Sequence, residues 1–438
     1  MLGALGTLGA AGLAGCAGGD DSGSASGTVK IGVMQPLSGD IRYYGAHSLW
    51  GFFSGLAHKA DSDPIEEAST GSYTVTVGDV DYELVVRDSL FSADEAQTIA
   101  TNLVTNEEVD VLFGCASSAA ARRVIQQVTG QTDVPTVIGP AAAADITSDS
   151  ELCNANVFRA SENTAMDARS GGRYVAQETD VSSVYLFGAD YSFGRAVVNN
   201  YRTVLENNGV EIAGERFVNQ GYSEWEGLLD NAEEAGADGI VGGFTVQTLP
   251  NLFTSYLSGD YSYRVFGGFA TRITAAVVGG LLQNELGSGF TAEDVRQAGM
   301  GPFTTRYHWN QYDNEINTAF RDMYTGAYGT QPDLFSSGTF TAASAIVQAV
   351  EESGSTDGAD IAEAMRGMTV SETPKGSDAY TFQSYNNQAR SPMTVAYPVP
   401  TGDTANWEAA IKPGEPLSTI GADQTTIPAD SADMGCDL

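Results

Sequence analysis

Basic side chains are the scarce class in this sequence. There are 21 lysines and arginines against 56 acids over 438 residues, a formal charge of −35, and only four of the bases are lysines: Lys30, Lys59, Lys375 and Lys412. Nucleic acid is excluded as a partner, because a polyanion would meet repulsion instead of the basic stripe that phosphate binding needs. The charge is far above the magnitude of about 2 to 8 that keeps a small domain soluble. The acids are spread along the chain. Salt at about 1 M, screening over roughly 3 Å, would relieve their self-repulsion, so the composition reads as halophilic.

Metal ligands and catalytic signatures are also missing. Three histidines (His47, His58, His308) and four cysteines without a CxxC give no metal-ligand cluster. GxSxG, SxxK, HExxH and the Walker loop are all absent. Gly242-Gly243 and Gly267-Gly268 follow strands but do not extend into GxGxxG, and they read as close backbone approaches at strand ends. No cofactor and no catalysis are expected. Beyond the first residues no apolar stretch of about 18 residues occurs, so nothing is expected to span a membrane.

Residues 1–15 carry no charged side chain and end in Leu13-Ala14-Gly15 before Cys16, which resembles a lipobox. In that reading residues 1–16 are a lipoprotein signal segment, Cys16 takes the lipid, and 17–28, with Gly, Ser and Asp, are a flexible tether. No Lys or Arg precedes the apolar run, as a basic n-region would require, which points to a start further upstream. The other cysteines fit an oxidising exterior. Cys115 with Cys153 is the favoured disulfide, a bond involving Cys436, or none, being the alternatives.

Forty-two per cent apolar and nine per cent aromatic residues suffice for buried cores, and the length suggests at least two domains. From Val29 short β-rich runs alternate with helical patterns: strands at Val29–Gln35, Tyr82–Asp88, Asp110–Phe113 and Pro135–Ile138, helices at Tyr43–Ala60, Ala93–Asn106 and Ala119–Thr129. A second series has strands at Val184–Phe187, Glu211–Phe217, Gly239–Gly243 and Tyr263–Gly267, with helices at Arg195–Asn207, Glu226–Ala235 and Thr248–Leu257 between them. The fold class is therefore α/β, with two doubly wound parallel-sheet lobes, and ligands of such sheets bind outside the carboxyl ends of the strands. Residues 403–438, rich in Gly, Pro, Asp and Thr, read as a poorly ordered tail.

The strand ends carry small, hydroxylated and aromatic residues. Cys115, Ala116, Ser117 and Ser118 follow Phe113-Gly114 and open a helix; Pro140 and Ala141 to Ala143 follow Ile138-Gly139. Small side chains leave N–H groups accessible, and a helix N-terminus adds partial positive charge, so a carboxylate or carbonyl oxygen would be cradled there. Ser117 or Ser118 also reads as a simple N-cap, and the two roles are compatible. Tyr43-Tyr44, Tyr191 with Phe193, Phe244 and Phe269 stand at successive strand ends, as in a ring-lined pocket.

Lys30-Ile31-Gly32-Val33-Met34-Gln35-Pro36-Leu37-Ser38-Gly39, then Tyr44-Gly45, resembles the opening of the branched-chain amino-acid binding proteins of ABC importers. The resemblance spans roughly residues 29–400 and includes Phe113-Gly114, Ile138-Gly139-Pro140-Ala141-Ala142 and Asp190 to Gly194. Leu112-Phe113-Gly114-Cys115 with Ser118 and Arg122, Glu151-Leu152-Cys153, and Gly188 to Arg195 look more like the urea and short-chain-amide branch. The resemblance implies a type I periplasmic-binding-protein-like fold with three crossovers, near Phe158, Pro302 and Ser391. Lobe one would hold 29–157 plus 303–390 and lobe two 158–302 plus 391–412, leaving 413–438 as the tail. It also implies Ser38, Tyr44, Ala116, Ser117, Ser118, Ala141, Ala142 and Ala143 as lobe-one ligand contacts, with Tyr191 or Phe193, Phe244 and Phe269 from lobe two. Where the amino-acid branch presents a glutamate to the ligand's ammonium, this chain has Phe269 or a non-acidic neighbour. Burying an ammonium without a carboxylate is costly, so an amide, urea or carboxylate fits better unless Asp190 or Asp40 serves. The implied role is a lipid-anchored solute-binding protein on the extracellular face of the membrane, binding a small polar ligand for ABC permease membrane subunits. A ligand-sensing receptor module is the alternative.

Overall fold

Parallel strands covered on both faces read as unbroken apolar runs, and the first strand, β1 (Gly27–Gln35), is wholly buried from Ile31 onward. The computed structural model describes residues 25–268 and 271–438, so Cys16 and Phe269 lie outside the described residues. The strand begins at Gly27, so the expected tether ends two residues short of 28. The chain continues through α1 (Arg42–Ala60), β2 (Gly71–Val77), β3 (Val80–Asp88), α2 (Ala93–Thr105), β4 (Val111–Gly114), α3 (Ser118–Gln127), β5 (Thr136–Ile138) and β6 (Val157–Arg159). These strands form one sheet in the order β2-β3-β1-β4-β5-β6, parallel except for the β2–β3 pair.

A helical run, α4 (Thr164–Asp167) and α5 (Arg173–Glu178) joined by a π-helical turn, leads into the second lobe. There follow β7 (Ser183–Ala189), α6 (Ser192–Asn207), β8 (Glu211–Val218), α7 (Glu226–Glu234), β9 (Gly239–Gly243), α8 (Leu249–Ser258), β10 (Arg264–Gly268), α9 (Arg272–Leu286), α10 (Ala292–Gln297) and β11 (Met300–Thr305). The chain then returns to lobe one with α11 (Glu315–Tyr328), α12 (Leu334–Ser353), α13 (Gly358–Met365), β12 (Thr369–Val370), β13 (Tyr380–Phe382) and β14 (Ala389–Arg390). It ends with β15 (Met393–Ala396), β16 (Pro398–Pro400), β17 (Ile411–Pro413), β18 (Ser418–Ile420) and α14 (Ala422–Thr425). The second sheet has the order β18-β15-β11-β10-β9-β7-β8, in which β15 alone runs against its neighbours, antiparallel to both β11 and β18.

Two close contacts position the site. A Cβ on Gly51 or Gly55 of α1 would come within 2.2 Å of Ser336 O or 2.5 Å of Phe340 O in α12. Only glycine lets these helices approach so closely, and their contact places Tyr44 beside Phe335. Glu162, in the first link between lobes, accepts hydrogen bonds from Lys375 Nζ and Tyr380 OH, each at 2.6 Å, and from Ser391 Oγ at 2.9 Å. One buried carboxylate thus ties the first link to the third.

Several boundaries differ from expectation. Lobe one's sheet keeps the chain through Arg159, and lobe two's sheet keeps it through Thr305, because β11 continues past the Pro302 expected to end it. The residues read as a poorly ordered tail are built into the fold: β18 pairs with β15, and the chain then returns to lobe one, where Gly435 N donates to Ser148 O at 2.8 Å. That return brings Cys436 to Cys153, with Cα atoms 5.0 Å apart, and these two form the disulfide. The favoured Cys115–Cys153 bond is therefore incorrect. Cys115 is a free thiol packed in the lobe-one core, and burial pushes its pKa up to about 12.

Candidate functional site

A cavity of about 130 Å³ lies between the lobes, at the carboxyl ends of the strands. On the lobe-one side, Gly114 has φ +147°, and a Cβ there would lie 2.2 Å from Met34 O, so the strand can end in this tight turn only with glycine. The turn launches α3. Ser117 is its N-cap, its side chain accepting from Ala120 N at 3.4 Å, and it does not border the cavity. Ser118 and Ala116 do border it. The first N–H groups of the helix have no intrahelical carbonyl to meet, and small residues leave them open to a ligand oxygen.

The neighbouring turn is held from behind. Arg159 is fully buried, and its Nη1 donates to Ala141 O at 3.0 Å and Ala143 O at 2.7 Å. Its other donors reach Gln388 Oε1 at 2.6 Å and Thr147 Oγ1 at 2.8 Å. Ala143 N donates to Ser118 Oγ at 3.1 Å. Ala141 and Ala143 are thus the buried backing of the wall, and Ala142 alone of the three lines the cavity. Ser38 is exposed and bonds Asp88 instead.

Aromatic rings close the space. Tyr44 stacks on Phe335 at 4.4 Å between centroids, and its hydroxyl accepts from Val246 N of lobe two at 2.9 Å. Tyr191, Phe193 and Phe244 border the cavity from lobe two. Just outside it, Asp333 caps α12, takes a 2.5 Å bond from Tyr43 OH, and accepts from Arg272 N of lobe two at 3.2 Å. Burial raises the Asp333 pKa, against the hydrogen bonds it accepts. Burial, then the Arg272 charge, holds His47 neutral well below its ordinary pKa, so its 4.0 Å approach to Asp333 is not an ion pair.

The charged groups at the cavity are ones that sequence reasoning missed. Asp167 and Arg306, 139 positions apart, form an ion pair with both side chains largely buried, and both line the cavity. Arg306 Nε lies 2.9 and 3.2 Å from the two Asp167 oxygens, and Nη2 bonds Oδ2. Burial alone would lower the Arg306 pKa, but Asp167 outweighs it and holds it above its ordinary value. Neither Asp40 nor Asp190 lines the cavity: Asp40 is exposed, and Asp190 pairs with Arg195 at the surface. The available signal was weak: Arg306 is the only Asp, Glu, Lys or Arg between Pro302 and Asn310, whereas Asp167 stands among other charges, with Glu162 before it and Arg169 after it. Among the described residues no group of three His, Cys, Asp or Glu could hold a metal ion, and no helix is long and apolar enough to cross a membrane.

A family model described as "Periplasmic binding protein" matches residues 28–403. The chain belongs to the periplasmic binding protein family. This binding protein is 21% identical over 356 residues to the leucine-, isoleucine-, valine-, threonine-, and alanine-binding protein of Pseudomonas aeruginosa, covering 80% of this chain and 85% of that one. Among solved structures it is similar in fold to an amino acid ABC transporter substrate-binding protein from Pseudomonas fluorescens Pf-5, with TM-score 0.75 and 20% identity over 94% of this chain and 100% of the other. It is also similar to an ABC transporter solute binding protein from Rhodopseudomonas palustris BisB5 in complex with 3,4-dihydroxy benzoic acid, with TM-score 0.69 and 17% identity over 90% and 98%.

Proposed function

We propose that this protein captures a small polar solute of amino-acid, amide or urea type between its lobes and delivers it to the membrane subunits of an ABC importer, without chemistry of its own. The observation that carries the reading is one cavity bordered by α3's first turn and Tyr44 from lobe one and by Tyr191, Phe244 and Arg306 from lobe two. A ligand touching both walls has differential affinity for the closed form, and that difference is the signal available to a permease. The amino-acid and solute-binding relatives support the same role. Cys16, outside the described residues, is proposed as the lipid anchor holding the protein on the extracellular face in a saline medium. A second reading, a small aromatic carboxylate, draws on the stacked rings of Tyr44 and Phe335 and on the benzoate-type ligand of the Rhodopseudomonas palustris structure.

Thermal-shift screening in high salt against amino acids, short amides, urea and small aliphatic and aromatic carboxylates tests the reading. A ligand at 100 times its dissociation constant stabilises by about 2.7 kcal/mol, and Phe244→Ala should abolish most of that shift. No shift from any compound, or ammonia released from urea or amides, would contradict it.

A further inference from the structure

The hydroxyls around the cavity divide into spent and unspent. Thr271 and Thr274 bond each other at 2.7 Å, and Thr304 Oγ1 donates to Thr394 O at 3.2 Å. Tyr201 and Thr245 line the same cavity at 1% and 5% exposure, yet the Tyr201 hydroxyl and Thr245 Oγ1 have no hydrogen-bond partner. Buried polar groups in native proteins are almost always satisfied, so two orphans bordering one cavity point to a ligand that satisfies them. Arg306 adds a third donor: Nε and Nη2 face Asp167, while Nη1 makes no hydrogen bond among the described residues. These groups converge. Thr245 follows β9, Arg306 follows β11, and on the intervening β10 a Cβ at Gly267 would lie 3.7 Å from the Tyr201 hydroxyl and one at Gly268 3.5 Å from Asp167 Oδ2.

We infer that Tyr201, Thr245 and the Asp167–Arg306 pair form a second polar subsite in lobe two that reads a neutral carboxamide or ureido group of the ligand. Asp167 and Arg306 neutralise each other, so the subsite offers no net charge to a ligand carboxylate or ammonium. It offers three donors, of which a carbonyl oxygen with its two lone pairs would take two. The carboxylate of Asp167, whose Oδ1 takes a single hydrogen bond from Arg306, is an acceptor for an adjoining N–H. A group with a carbonyl beside an N–H matches this donor and acceptor set without burying an unpaired charge.

This inference rests on the proposed use of the cleft as the ligand site, and the test separates the two. Calorimetric titration of the full chain with propionamide and propionate, glutamine and glutamate, and benzamide and benzoate compares matched head groups. At least one carboxamide is expected to bind ten-fold or more tightly than its carboxylate. Tyr201→Phe and Thr245→Val should each weaken that carboxamide five- to ten-fold, leave its carboxylate partner within two-fold, and not lower the melting temperature of the unliganded protein. If Phe244→Ala abolishes binding while Tyr201→Phe and Thr245→Val bind as wild type, the cleft reading stands and the subsite is overturned. Preference for the carboxylate of every pair also overturns the subsite, as does a wild-type protein that binds none of the six; the cleft reading falls only if the wider thermal-shift screen is also blank.

Discussion

The two walls of the cavity are built on opposite plans. Lobe one presents backbone whose supporting groups are already satisfied: Ser117 caps α3, Ser118 takes the Ala143 N–H, and Arg159 holds the Ala141 and Ala143 carbonyls from behind. Lobe two presents side chains with capacity left over, namely the Tyr201 and Thr245 hydroxyls and one nitrogen of Arg306. The difference teaches where fixed shape and where selectivity come from. A wall locked by internal bonds preorganises a cradle at low entropic cost, whereas unsatisfied side chains acquire their partners only when the right ligand arrives.

The strongest way to break the comparison is to remove the charge balance of lobe two. Asp167→Asn leaves Arg306 buried without its counter-ion, and a loss of about 3–5 kcal/mol in unfolding free energy is expected, read by chemical denaturation in high salt. Lobe one is weakened through its anchor: Cys436→Ser releases the C-terminal strap from the segment leading into β6 and should cost about 2–4 kcal/mol. The same loss should appear in wild type under reducing conditions.

Acid sharpens the contrast further. Burial holds His47 in lobe one and His308 after β11 below their ordinary pKa, His308 at about 3. A folded pKa below the unfolded value of about 6.5 gives stability that is complete above that pH and is lost as pH falls toward the folded value. Each histidine should contribute a slope of about 1.4 kcal/mol per pH unit, and replacing His308 with Gln should flatten the profile between about pH 6.5 and about pH 5. The smallest effect belongs to the bond between the walls. Tyr44→Phe removes the acceptor for Val246 N and should weaken lobe closure by about 1 kcal/mol, seen as a roughly five-fold loss of ligand affinity.

The alternation of strands and helices was legible because β1, β4 and β9 are short, buried apolar runs and the helices between them keep a one-sided pattern. Tyr44, Ala116, Ser118, Ala142, Tyr191, Phe193 and Phe244 could be named as wall candidates because each stands at or just beyond a strand end. The rest depended on distance along the chain. Asp167 meets Arg306 across 139 positions and Cys153 meets Cys436 across 283, and no local pattern encodes such pairings. β18 is three residues long in a Gly- and Pro-rich segment, so its pairing with β15, and not its own composition, makes it a strand. Whether Ser117 or Ser118 faced the cavity was decided by a single residue's rotation about the start of α3.

The most direct measurement is a crystal structure of the protein with its tightest ligand from the matched-pair titrations. One ligand molecule should span the cavity, with an oxygen at the first turn of α3 beside Ala116 and Ser118 and a carbonyl within hydrogen-bond distance of Arg306 Nη1 and the Tyr201 or Thr245 hydroxyl. Electron density for the ligand elsewhere on the surface, or in the cavity but touching only one wall, would contradict capture between two complementary walls.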